Sequence, residues 1–134
     1  DLPQPMPEYT DDLTILDAEH LWRRIPPLHR VPDPKAGGFR ISSAAFCDHS
    51  DGSPMSVTIA KYYRDSGRGP EEALTNHPGF ALAEFKVGLA RSQQQLVARD
   101  PTIEEPAHGV VVGKKTHAVK KAFVTGSILV VRFP

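Results

Sequence analysis

The stretch HGVVVGKKTHAVKKAFVTGSILVVRF, residues 108–133, decides the fold class. HGVVV is a β-branched run and SILVVRF is another, each short and apolar enough for a strand. Between them, Thr116 stands where a helix N-cap belongs, and Ala118, Val119, Ala122 and Phe123 share one helical face. Gly126 is placed to close that helix. The pattern predicts strand–helix–strand, with the last strand apolar enough for the middle of a sheet.

Outward from this unit, GFRISSAAF (38–46) and PMSVTIA (54–60) flank the polar loop CDHSDGS. Met55, Val57 and Ile59 alternate with Ser56, Thr58 and Ala60, as a half-buried strand requires. Phe39 and Ile41 share a face in the first run. Together they predict a β-hairpin over about 38–60, with a loop longer than the two-residue ideal.

DAEHLWRRI (17–25) reads first as a short helix, with Asp17 as N-cap, Leu21, Trp22 and Ile25 on one face, and Pro26-Pro27 ending it. A strand through LWRRI is the competing reading. RDSGRGP (64–70) is a loop, and Pro70 with Glu71 and Glu72 suits the first turn of a helix. We expect a strand across 80–87, a turn or short helix through 88–95, and a brief strand at Leu96–Ala98. The alternative, one helix from Pro78 to Arg99, would carry Gly88 in its middle at a cost of about 1 kcal/mol. The fold class is therefore mixed α+β: a small single sheet with the 38–60 hairpin, the C-terminal strand–helix–strand, and helices mainly on one face.

Residues 1–13 carry two early prolines and few apolar groups, and are expected to form a flexible acidic leader ahead of one globular domain over 14–134. The thirteen prolines punctuate the chain, so elements should be short. No apolar run reaches the roughly 18–20 residues of a membrane helix. The single cysteine, Cys47, excludes an internal disulfide and favours a reducing, cytoplasmic setting.

Net charge is zero, but its distribution is uneven. Residues 1–21 hold Asp1, Glu8, Asp11, Asp12, Asp17 and Glu19 with no Lys or Arg, whereas 106–134 hold Lys114, Lys115, Lys120, Lys121 and Arg132 with no acid. Either the acidic leader lies near the basic C-terminal face, or that face meets an anionic partner: a small ligand, nucleic acid or an acidic protein surface.

The GKKT turn (113–116) invites a phosphate, since backbone N–H groups and a helix dipole attract anions. Its glycine spacing is not that of a triphosphate-wrapping loop, so Lys114, Lys115 and Thr116 are candidates for a single phosphate or carboxylate at most. CDHSDGS lacks the alternating oxygens of a calcium loop and the spacing of a zinc site, so no metal or other cofactor is expected. Cys47 with a distant His108 would make a thiolate–imidazole pair. Arg24 (or Arg23), the pair Ser42-Ser43 and His108 form a different candidate set, able to grip a nucleotide's phosphates and ribose in the manner of ADP-ribosyl-transfer sites. Trp22, Arg23 and Arg24 have the composition of an interface anchor.

The first functional expectation is a small, non-catalytic accessory domain with a protein partner. The second is an enzyme acting on a nucleotide-like or phosphorylated substrate through Arg24, Ser43, His108 and Lys114. The third is weak nucleic-acid binding through the lysines of the C-terminal face, which would fall steeply with salt.

Overall fold

The structure, a computed structural model, describes residues 8–134. The C-terminal unit forms as its pattern dictates: strand β7 (His108–Val112), helix α3 (His117–Gly126) and strand β8 (Ile128–Val131). Thr116 caps α3, its hydroxyl accepting from the Val119 N–H at 3.2 Å. Gly126 is the last residue of α3, with Ser127 as its C-cap. A Cβ there would collide with Leu89, so the missing side chain allows α3 to approach the neighbouring helix.

The preceding strands are β1 (His20–Ile25), β4 (Met55–Ile59), β5 (Ala81–Lys86) and β6 (Leu96–Arg99). They join β7 and β8 in a six-stranded sheet of order β6-β7-β4-β1-β5-β8, antiparallel throughout. Two further strands, β2 (Arg30–Pro32) and β3 (Phe39–Ile41), pair only with each other. Short helices α1 (Ala60–Asp65) and α2 (Val87–Ser92) follow β4 and β5 directly. The mixed α+β class and the C-terminal strand–helix–strand are as expected.

Four details of the expected arrangement are corrected. The 39–41 and 55–59 strands do not form a hairpin, because the chain leaves β3 into a 3-10 turn at Ser43–Ala45 that sends Ala45 and Phe46 into the core. Strand β4 then takes β1 and β7 as neighbours, and the described residues form two sheets instead of one. The 17–25 helix is strand β1, in the centre of the large sheet. Strand β8 lies at the sheet edge, with Ile128 exposed. The helices lie mainly on one face, as expected, with α2 and α3 on one and α1 on the other.

On the α2/α3 face, Leu21, Ile25, Val57, Ile59 and Val111 meet Phe46, Phe85 and Phe123. The Phe85–Phe123 rings lie 5.0 Å apart and Phe46–Phe123 5.6 Å. On the opposite face Trp22 packs edge-to-face on Tyr63 at 5.6 Å, beside Leu82, Ala73 and Ala107. Trp22 satisfies its indole N–H on Glu84 at 2.9 Å.

The first seven residues of the expected leader lie outside the described residues. Further along, Asp11 and Asp12 are tied to the body: the Asp12 N–H donates to the Val97 carbonyl, and the Asp11 carboxylate accepts from the Val97 N–H. The acids at 11 and 17 share one cation, Arg91 of α2, at 3.0 and 2.6 Å. Among the described residues no helix is long and apolar enough to cross a membrane.

Candidate functional site

The ladder between β1 and β4 holds only two residue pairs, Leu21↔Ile59 and Trp22↔Thr58. Beyond them the strands part, and Arg23 fills the parting from the α3 side. Its Nη1 donates to the Ser56 carbonyl at 2.8 Å, its Nε to the Ala45 carbonyl at 3.2 Å, and its Nη2 to Ala45 and Cys47 carbonyls at 3.1 and 3.4 Å. Side-chain nitrogens thus replace the backbone donors a continuous ladder would supply. Burial lowers the Arg23 pKa from its ordinary value, with Cys47 and Asp48 acting in the opposite sense, yet a guanidinium remains a cation here.

The other face of the parting is a cleft of about 540 Å³. The register explains its floor. His108 stands opposite Thr58, Thr58 opposite Trp22, and Trp22 opposite Glu84, so these four side chains form one row across the sheet on a single face. Arg24 and Ser56, two residues further along their strands, project from the same face. His29, Cys47, His49, His77 and Phe80 complete the walls from loops.

Several of these side chains are anchored at one end. The Arg24 Nε donates to the Ala73 carbonyl at 2.6 Å, and its two terminal nitrogens have no partner among the described residues. His108 places Nδ1 2.8 Å from the Asp100 carbonyl and 3.3 Å from the Asp100 carboxylate. A carbonyl only accepts, so Nδ1 carries the proton and Nε2 of the neutral ring is left as an acceptor. His77 is fixed in the same tautomer by the Thr75 carbonyl at 2.9 Å. His49 places Nε2 2.8 Å from the Ser56 hydroxyl.

The rim loop that carries Cys47 and His49 is held by a second buried cation. The Lys115 ammonium donates to the Val111 and Gly113 carbonyls at 3.0 and 2.8 Å and pairs with Asp48 at 3.0 Å. Asp48 also accepts from the Met55 N–H. Burial pushes the Lys115 pKa down, and Asp48 opposes that shift.

Of the residues singled out from sequence, Arg24 and His108 line this cleft, as do Arg23 and the almost fully buried Trp22. Ser43 opens the Ser43–Ala45 turn and is not among the lining residues. Lys114 and Thr116 border a different depression at the start of α3, with Gln93, Gln94 and Gln95. Lys115 is the buried clamp just described. Cys47 and His108 line the same cleft without a hydrogen bond joining them. Among the described residues no three His, Cys, Asp or Glu side chains are grouped to hold a metal ion.

Sequence reading missed His29, His49, His77, Ser56 and Thr58. The clearest available signal was the polar face of strand β4, since Ser56 and Thr58 alternate with three buried apolar residues. Comparisons with protein-family models, curated proteins and solved structures find no match to this chain.

Proposed function

We propose that the cleft binds a small phosphorylated or nucleotide-like molecule and that the protein is an enzyme acting on it. The observation that carries this reading is the parting of β1 and β4, beside which Arg24 and imidazoles from separate elements line one concave site. A guanidinium with two unspent terminal nitrogens matches the paired oxygens of a phosphate. Imidazoles with a defined tautomer are suited to proton transfer beside it. Phe80 and Pro26 supply apolar wall for a base or other ring. A reducing, cytoplasmic setting, in which Cys47 keeps its thiol, accords with this reading.

The test is calorimetric titration with AMP, ADP and ADP-ribose, followed by phosphorus NMR of the mixtures over time. Saturable binding is expected, weakened at least about tenfold by Arg24→Ala, with slow conversion of a bound compound. Binding that ignores Arg24→Ala but is lost on Lys114→Ala would move the site to the start of α3 and overturn the proposal.

A second reading, a non-catalytic domain with a protein partner, draws support from edge strand β8. It leaves one side of its backbone without a neighbouring strand among the described residues, and Ile128 is exposed there. Ile128→Lys should abolish a complex formed at that edge. A complex that survives this substitution would exclude β8 as its seat.

A further inference from the structure

We infer that Ser56 is a nucleophile, that His49 is its base, and that the group Ser56 receives is the phosphoryl group of the ligand held by Arg24. This inference rests on the reading of the cleft as a site for a phosphorylated molecule.

Registry makes the first argument. The pairs Leu21↔Ile59 and Trp22↔Thr58 set a register that, continued by two residues, would bring Arg24 opposite Ser56. The strands have parted there, so the two residues flank the gap from the same face of the sheet. Arg24 and Ser56 both line the cleft, so a phosphate on the Arg24 fork would share that cleft with Ser56.

The second argument is the Ser56–His49 contact. The hydroxyl and Nε2 lie 2.8 Å apart, the distance at which an imidazole can take a serine proton. Both residues are held by their backbones. Ser56 pairs with Val110 of β7, and its carbonyl accepts from Arg23; His49 exchanges backbone bonds with Ser53 and Gly52. Among the described residues no carboxylate hydrogen-bonds the second nitrogen of His49, so the pair is a dyad. The nearby Asp51 spends its carboxylate on the N–H and hydroxyl of Ser53.

The chemistry balances with a phosphate ester and water as reactants. The Ser56 oxygen forms a bond to phosphorus while the bond from phosphorus to the leaving oxygen breaks. The hydroxyl proton passes to His49 Nε2 and from there to the departing oxygen. Water then gives a proton to His49 and attacks the phosphoserine. Inorganic phosphate leaves and the serine oxygen is reprotonated. Arg24 neutralises the non-bridging oxygens in both halves.

The test uses diisopropyl fluorophosphate on the full-length protein, read by intact mass and peptide mapping, with AMP titrated into the same preparation by calorimetry. Its phosphorus bonds to an activated serine as fluoride departs. We expect a single adduct at Ser56, absent in Ser56→Ala, slowed about a hundredfold in His49→Gln, and suppressed by AMP. His49 is exposed, so His49→Gln reports the base even if Ser56→Ala disturbs the strand. AMP binding without any Ser56 adduct would sink the nucleophile and leave the cleft reading standing. An adduct at Ser56 with no nucleotide binding, or equal labelling in His49→Gln, would overturn phosphoryl transfer by this dyad.

Discussion

Arg23 and Arg24 are consecutive, on one strand, and chemically identical, yet they lie in opposite environments. Arg23 points to the face covered by α2 and α3 and spends its guanidinium on the carbonyls of Ala45, Cys47 and Ser56. Arg24 points to the face only partly covered by α1, and its two terminal nitrogens have no partner among the described residues. The same contrast holds between the faces as wholes. One is filled by Phe46, Phe85 and Phe123, whereas the other has a packed half around Trp22 and Tyr63 and an open half lined with histidines. A sheet with one face completed by packing can leave part of the other to polar groups, because the first face carries the burial that folding needs.

Substitutions on the two faces should therefore separate stability from binding. Phe123→Ala, at the centre of the filled face, should cost about 3–5 kcal/mol in denaturant unfolding, and a loss below about 1 kcal/mol would mean that the ring is not a core element. Arg23→Ala should follow at about 2–3 kcal/mol, since it strips buried carbonyls of their donors. If Arg23→Ala instead spares stability and abolishes ligand binding, the assignment of the two arginines is reversed.

On the Trp22 side, Arg68 grips Glu105 with two bonds of 2.8 Å. These bonds hold the Glu105 carboxyl below its ordinary value of 4.5, against the smaller opposing effect of burial. The folded state therefore favours the ionised form. Its contribution is complete above that ordinary value and is lost as pH falls through the lower folded one. Glu105→Gln should cost about 1 kcal/mol at pH 7, and unfolding curves of variant and parent should converge in acid. A gap that persists unchanged would show that the pair acts through packing alone. Smallest of all, Arg24→Ala should shift unfolding by only about 0.5 kcal/mol while weakening nucleotide binding, which places its worth in the ligand.

The C-terminal unit was legible because each of its signals is local: β-branched runs, a threonine cap, and a helix with one apolar face. Strand β1 was not. Leu21 and Ile25 face one way and Trp22 the other, all buried, so the alternation of a half-exposed strand is missing and the four-residue spacing imitates a helix. The half-buried Arg23 between them adds a polar residue where a strand core would show none. Of the cleft's lining, Arg24 and His108 were singled out in the sequence. What joined them to His29, His49, His77 and Ser56 was strand register and loop placement, neither of which appears in residue spacing. The parting of β1 from β4 has no signature in either strand; it is visible only when Arg23 is seen occupying the space where a ladder would continue.

Strand order also has a kinetic meaning. Among the described residues, β6 and β7 are the only paired strands of the large sheet with no other strand between them in the chain. Strand β1 must wait for β4 and β5, whose partners to it come from residues 58–59 and 81–86. Closing such loops precedes any reward from pairing, so this chain should reach its native state in about milliseconds to seconds, on the slow side for its size. During that interval Leu21, Trp22 and Ile25 of the central strand are without partners, which makes the early folding chain, more than the finished one, the form most prone to associate with its own kind.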